Sequence, residues 1–135
     1  MQISHWTPQL WLDFEPMDAM NREFMGHLAR TQAAPDDTVL QTWQALVDHA
    51  TVHFGTEDAW MHQEGFATAQ QHTLEHRVVL NLLREGLCQA QAGDLAPARQ
   101  MGAELGAWFS RHTQSLDAAL ALHMRRVNAS RTAPA

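Results

Sequence analysis

The sequence predicts an all-α protein, an up-down-up-down antiparallel four-helix bundle with an irregular N-terminal arm. Ala, Leu, Gln, Glu, Met and Arg dominate the composition, Tyr is absent and β-branched residues are sparse, which favours helices over strands. Apolar residues recur at helical spacing in four segments. Short turns separate these segments, and short connections make consecutive helices antiparallel neighbours.

The length of the chain, 135 residues, indicates a single domain. A hydrophobic fraction of 45% is sufficient for one core. We expect an arm over residues 1–15, the bundle over about residues 16–125, and a frayed tail over residues 126–135.

The first helix is predicted from Pro16 to about Gln32. Proline is tolerated at the first helical position because its missing N–H would have no partner there. Met17 and Phe24 follow on one helical stripe. The segment AAPDD, residues 33–37, then ends the helix.

The remaining helices are delimited by Asp and Gly residues. Asp36 or Asp37 is expected to cap the second helix, which continues to Gly65. The third helix is predicted over residues 69–92, and Asp94 is expected to cap the fourth.

The charge pattern bears on partners and location. The formal net charge is −6, and the nine basic residues, all Arg, are scattered, so we expect neither nucleic acid nor an anionic membrane as a partner. No run approaches the ~20 apolar residues of a membrane span, and residues 1–15 lack the features of a signal peptide. The single cysteine, Cys88, permits no disulfide framework. We therefore expect a cytoplasmic protein.

Two pairs of candidate metal ligands lie on the second and third helices. His53 and Glu57 are four residues apart, as are His72 and His76, so each pair projects from one helix face. An isolated pair of this kind can equally be a solvated surface pair. Two pairs beside core-spaced apolar residues favour an interior site, because bundle cores hold paired metal ions with ligands from facing helices.

A third pair, His112 and Asp117, lies on the fourth helix with a five-residue spacing. This spacing separates the two side chains by about 140° on an ideal helix. The pair can share a metal site only if the site is wide or the helix is locally irregular. We expect an irregularity between the two residues.

The types of ligand indicate the metal. Buried imidazoles and carboxylates without partners cost roughly 1 to 3 kcal/mol each, whereas one cation can satisfy several of them. Imidazole and carboxylate without thiolate suit iron, manganese or zinc. Six ligands are too many for one tetrahedral zinc ion. A dinuclear centre bridged by Glu57 and Asp117 accounts for all six.

The sequence resembles the bacterial hemerythrins over about residues 6–122. The similarity is carried by MDAMNREF (17–24), HFGTEDAWM (53–61), GF followed by HTLEH (65–76) and WFSRHTQSLD (108–117). This resemblance implies an oxo- or hydroxo-bridged di-iron site that reversibly binds O2 at one open iron position. It thereby implies a protein for O2 storage, delivery or sensing rather than an enzyme.

The resemblance also implies a role for each ligand. The ligands of the coordinatively filled iron would be His72, His76 and His112, the open iron would be bound by His53, and the bridges would be Glu57 and Asp117.

Asn21 departs from the family pattern, because the family places a second histidine of the open iron at this position of the first helix. Asn21 could offer a neutral amide oxygen, which is a weaker donor to iron than imidazole. Without it the open iron is two ligands short of six, so the second iron could be weakly bound or absent. Another departure is Thr113, where the family commonly has an apolar residue. His49, one turn before His53, is a candidate for the missing imidazole.

Two alternatives follow from these departures. One is a di-iron site of the oxidase or peroxidase type, or one that reacts with nitric oxide. The other is a degenerate domain that holds a single metal ion.

Overall fold

The computed structural model describes residues 10–132. These residues form four helices and no strands, which confirms the all-α class. The bounds are α1 Glu15–Ala33, α2 Val39–Glu64, α3 Ala69–Gln91, and a fourth helix composed of α4 Ala96–His112, a π-helical segment Thr113–Asp117 and α5 Ala118–Thr132.

The helix ends agree with the sequence except at three places. The predicted cap of the fourth helix is Asp94, but the N-cap residue of α4 is Leu95, and the Asp94 carboxylate accepts a hydrogen bond from the Ala96 N–H at 3.3 Å. The predicted cap of α2 by Asp36 or Asp37 is wrong, because α2 begins after Thr38 without a side-chain cap and Asp36 pairs with Arg99 at 2.6 Å. The fourth helix ends at Thr132, later than the predicted end of the bundle at about residue 125. Gly65 ends α2 with a left-handed φ of 59°, the conformation that favours glycine.

Of the predicted arm, residues 1–15, residues 1–9 lie outside the described residues. Residues 10–14 pack against the helices, with Leu12 and Phe14 buried. The fully buried carboxylate of Asp18 accepts hydrogen bonds from the backbone N–H groups of Leu12 (2.9 Å) and Phe14 (3.1 Å). Arg125 on α5 donates a hydrogen bond to the carbonyl of Leu12. Residues 10–14 are therefore held both by α1, through Asp18, and by α5, through Arg125.

Consecutive helices contact one another, and α1 also contacts α4, so the helices enclose a common interior. This interior contains two apolar clusters. The first cluster is centred on Phe24, Trp43, Phe54, Leu83 and Phe109. The second cluster is centred on Met17, Met61 and Leu120.

Each helix passes from one cluster to the other, and the order of the clusters reverses from helix to helix. The residues that mark this order are Met17 then Phe24, Phe54 then Met61, Ala69 then Val79, and Phe109 then Leu120. The side chains between these markers include Asn21 and five of the six candidate ligands, and the sixth ligand, His53, directly precedes the marker Phe54. The two apolar clusters therefore enclose a polar layer, and the candidate metal centre lies in it. No helix among the described residues has the length and apolarity needed to cross a membrane.

Candidate metal centre

Five buried side chains from three helices converge in the polar layer. Each offers one nitrogen or oxygen atom, and these atoms all lie within 4.8 Å of one another, an arrangement that could hold a metal ion. The five residues are Glu57, His72, His76, His112 and Asp117.

The separations of the donor atoms suit a common ion. The Nε2 atom of His112 lies 3.1 Å from Nε2 of both His72 and His76, and 3.1 Å from Oδ1 of Asp117. The His72 Nε2 atom is 3.0 Å from the same Asp117 oxygen. Donor atoms at right angles around an ion, each about 2.1 Å from it, lie about 3.0 Å apart. The three imidazoles and Asp117 are therefore already spaced like the ligands of one ion.

The π-helical segment Thr113–Asp117 explains how Asp117 joins His112. In π-helical geometry a backbone N–H bonds to the carbonyl five residues earlier, so residues five apart lie near the same side. The predicted irregularity between the two residues is confirmed, and a wide site is not required.

Glu57 connects the cluster to His53. Its Oε2 atom lies 3.1 Å from Nε2 of His53, while its Oε1 atom lies 3.2 Å from Nε2 of His76. The two oxygens of one carboxylate thus face imidazoles of different groups, as expected of a bridging ligand. Asp117 Oδ2 is buried and has no hydrogen-bond partner among the described residues. Buried Glu57 Oε1 has only imidazole nitrogens near it, Nε2 of His76 at 3.2 Å and Nε2 of His72 at 3.6 Å. A cation would satisfy these buried oxygens, so the donor set fits a metal.

Two outer carboxylates orient the imidazoles. Asp58 Oδ1 lies 2.9 Å from Nδ1 of His76, and Glu75 Oε1 lies 2.8 Å from Nδ1 of His112. A carboxylate on Nδ1 fixes the ring with Nε2 directed inward and increases its basicity. Neither carboxylate belongs to the ligand pairs that the sequence predicts. The only sequence signal is that they directly adjoin Glu57 and His76.

Aromatic rings line the same imidazoles. Phe54 stacks on His76 with ring centroids 4.3 Å apart, and Trp108 stacks on His112 at 4.7 Å. Both aromatic residues belong to, or pack against, the first apolar cluster. The ligand rings are therefore held by packing as well as by hydrogen bonds.

The buried charges stabilise one another. Burial opposes a charge on His76, but hydrogen bonds to Asp58 and Glu57 outweigh burial and raise the pKa of His76 to about 9. Burial also opposes the charge on His112, and Asp117 raises the His112 pKa. Burial would raise the pKa of Asp117, but the charge and hydrogen bond of His112 hold that pKa well below its usual range. The protons on His76 and His112 thus supply the positive charge that a metal cation would supply beside the carboxylates of Glu57 and Asp117.

His53 lies next to the five-residue cluster and contacts it through Glu57. The opposite ring nitrogen, Nδ1, lies 3.2 Å from Nε2 of His49. His49 therefore lies behind His53 as seen from Glu57, where it contacts His53 and not the five-residue cluster. Burial, together with the charges of His53 and His27, lowers the pKa of His49 to about 4, so His49 is neutral at physiological pH.

Asn21 is fully buried on α1, between Met17 of the second cluster and Phe24 of the first. Neither Oδ1 nor Nδ2 of Asn21 has a hydrogen-bond partner among the described residues. The buried hydroxyl of Thr113, beside His112, likewise has no partner there. Asn21 thus presents an unsatisfied amide at the level of the candidate ligands.

Comparisons with known proteins agree with this site. Residues 13–121 match the family model described as the hemerythrin HHE cation-binding domain. The chain is 32% identical to a bacteriohemerythrin of Ralstonia nicotianae over 117 residues, which cover 87% of this chain and 85% of that protein. As its sequence motifs predicted, this chain belongs to the hemerythrin family.

Proposed function

We propose that this protein is a non-haem di-iron protein that binds O2, or a similar small diatomic ligand, for storage, delivery or sensing. The observation that carries the proposal is the convergence of five buried imidazole and carboxylate side chains between two apolar clusters, with a sixth, His53, on the bridging carboxylate. The names of the matched family and relative, cation-binding domain and bacteriohemerythrin, support it. When bound, an oxo- or hydroxo-bridged iron pair supplies a position for a diatomic ligand.

Each ligand has a proposed role. His72, His76 and His112 hold the first ion, His53 holds the second, and Glu57 and Asp117 bridge the two. Nitrogen and oxygen donors without thiolate suit iron. The separate contacts of the two Glu57 oxygens support the bridging role.

The architecture proposed for this function is the up-down-up-down bundle with an N-terminal arm. The reversal of cluster order along successive helices supports it, as do the short connections between the helices. Such a bundle carries ligands from several helices into one water-poor layer. For the location of the protein we propose the cytoplasm, where a lone exposed thiol, Cys88, stays reduced.

Asn21 and Thr113 favour a second candidate function, because each brings an unsatisfied polar group into the buried layer beside the ligands. With Asn21 in place of a histidine, the second ion has fewer protein ligands and more room for exogenous molecules. The second candidate function is therefore a site of the oxidase or peroxidase type, or a site that reacts with nitric oxide. A domain that holds only one metal ion is the remaining alternative.

Anaerobic reconstitution with iron(II), followed by controlled exposure to oxygen, tests these functions. A stable and reversible charge-transfer spectrum is expected for an O2-binding protein. Rapid irreversible oxidation would favour the enzyme, and a protein without such a spectrum would favour the one-metal domain.

The two metal positions are expected to fill unequally, because the first has three histidines and the second has only His53. Under limiting iron(II), the position of His72, His76 and His112 should fill first. Metal analysis combined with anomalous diffraction at partial loading measures the two occupancies. Equal occupancy at half-saturation would contradict the assigned ligand sets.

The apparent metal affinity is expected to rise with pH between about 6.5 and 9. A histidine binds metal only in its neutral form, and the raised pKa of His76, about 9, keeps this ring protonated over that range. The proton stabilises the metal-free fold at low pH, and this contribution is lost as pH rises through the folded pKa. Each displaced proton changes the affinity about tenfold per pH unit.

Calorimetry in buffers of different ionisation enthalpy counts the protons released. Asp58→Asn is the matched variant, because it keeps an oxygen that can accept from His76 Nδ1–H but removes the negative charge that helps to raise the His76 pKa, and it should reduce the protons released at pH 7.5. An affinity independent of pH across this range would contradict the expectation.

A further inference from the structure

We infer that His49 is a positioning residue for His53. The Nε2 atom of His49 accepts a hydrogen bond from the Nδ1–H of His53, and the Nδ1 atom of His49 faces Glu23 at the surface. The second metal position would then be tuned through a histidine–histidine–carboxylate chain. This inference rests on the proposed function, because it requires His53 as a ligand.

The contacts form a continuous path from the centre to the surface. His53, 1% exposed, directs Nε2 to Glu57 and Nδ1 to Nε2 of His49, each at about 3 Å. Nδ1 of half-buried His49 lies 3.7 Å from Oε2 of exposed Glu23 on α1, which is near but longer than a hydrogen bond. The path therefore links α2 to α1, the helix that carries Asn21.

The positions of the ring protons follow from the hydrogen-bonding rules of imidazole. A neutral histidine carries one proton, so His53 bound to a metal through Nε2 must hold its proton on Nδ1. That proton requires an acceptor, and the described partner of Nδ1 is Nε2 of His49. His49 must then be bare at Nε2 and protonated at Nδ1, the atom that faces Glu23.

The opposite arrangement is available when no metal is bound. His53 can then donate from Nε2 to Glu57, which lies 3.1 Å away. His49 can carry its proton on Nε2, which is 3.2 Å from the carbonyl of Met20. Metal binding at His53 therefore selects one of two tautomers of His49, and the stability of the selected tautomer contributes to the affinity for metal.

This connection differs from that of two other proposed ligand rings, whereas the Nδ1 of the third, His72, is buried without a hydrogen-bond partner among the described residues. His76 and His112 each have a carboxylate directly on Nδ1, at 2.9 and 2.8 Å. His53 has a neutral imidazole there, with the carboxylate of Glu23 one ring further away. His53 should be less basic than His76 and His112, and this adds to the inequality of the two metal positions.

His49→Leu and His49→Gln, compared in the full-length protein, test the inference. Changing an outer partner of a ligand typically alters metal affinity 10- to 100-fold, and His49→Leu should weaken the second binding step by this factor. His49→Gln should recover most of the affinity, because its carbonyl oxygen can accept the His53 proton. The first binding step should not change in either variant. His62→Leu, at an exposed histidine on the same helix, is the control and should match wild type.

A purely structural role predicts a different pattern. Loss of packing would weaken both binding steps, or would affect the Leu and Gln variants alike. Either result would overturn the inference.

Ring-nitrogen NMR of the zinc-loaded wild-type protein gives an independent measure. The expected result is a bare Nε2 and a protonated Nδ1 on His49, with a protonated Nδ1 on His53. In protein that holds two zinc ions per chain, a proton on Nε2 of His49 would overturn the inference. The number of zinc ions bound per chain separately tests the proposed function: one ion, rather than two, contradicts the dinuclear centre, whereas the tautomer decides the role of His49.

Discussion

His112→Ala is expected to abolish stable iron binding, because His112 occupies the middle of the ligand cluster. Its Nε2 atom lies 3.1 Å from the nitrogens of two other imidazoles and 3.1 Å from a carboxylate oxygen of Asp117. Changes in outer partners alone cost 10- to 100-fold in affinity, and the loss of a direct ligand should cost at least about 100-fold. Reconstitution at micromolar iron should then leave less than one ion per chain.

Thermal unfolding with and without a chelator provides the second measurement. A metal present at about 100 times its dissociation constant stabilises the folded state by about 2.7 kcal/mol, so chelation should lower the Tm of wild type. The Tm of His112→Ala should not respond to chelation. His123→Ala is the matched control on the same continuous helix, because His123 contacts Phe66 and Glu64 rather than the cluster. If His112→Ala retained two iron ions, the cluster would not be the metal centre.

Much of the candidate centre could be predicted because helical spacing converts directly into geometry. The four-residue spacings of His53 with Glu57 and of His72 with His76 place each pair on one face. The five-residue spacing of His112 and Asp117 required a departure from α-helical geometry, which the π-helical segment provides. Here a spacing that does not fit an α-helix predicted the irregular helical segment that the structure contains.

The outer carboxylates could not be predicted in this way. Asp58 follows Glu57 and Glu75 precedes His76, so periodicity places both away from the inward stripe of their own helices. Each instead reaches a histidine on a neighbouring helix: Asp58 reaches His76 on α3, and Glu75 reaches His112 on α4. Such contacts depend on how the helices pack, which one helix's periodicity does not specify.

His49 shows a related limit. Its four-residue spacing from His53 correctly predicts that the two rings are neighbours. Spacing does not predict which nitrogen of His53 faces Glu57 and which faces His49. That choice decides whether His49 is a ligand or supports one, and it depends on the rotamers of packed side chains.

Asn21→His is expected to raise the affinity of the second metal position by at least about tenfold, the lower end of the effect of outer ligand changes. Asn21 lies in the polar layer between Met17 and Phe24, and its amide atoms have no hydrogen-bond partner among the described residues. An imidazole there would add a second histidine to the position of His53. It would also leave a single exchangeable position, so the iron(II) protein should be oxidised more slowly in air.

The comparison of wild type, Asn21→His and Asn21→Leu separates ligation from the removal of an unsatisfied amide. Replacing a buried amide that lacks partners by a side chain of similar size should leave the metal-free fold as stable or more stable, without adding a ligand. Asn21→Leu should therefore match wild type in iron content, and only Asn21→His should gain iron and resist oxidation. The measurements are iron per chain after limiting reconstitution and the rate of absorbance change in air-saturated buffer. If Asn21→His equals wild type in iron content and oxidation rate, residue 21 does not face the second ion. Asn21 then does not occupy the position of a missing histidine ligand.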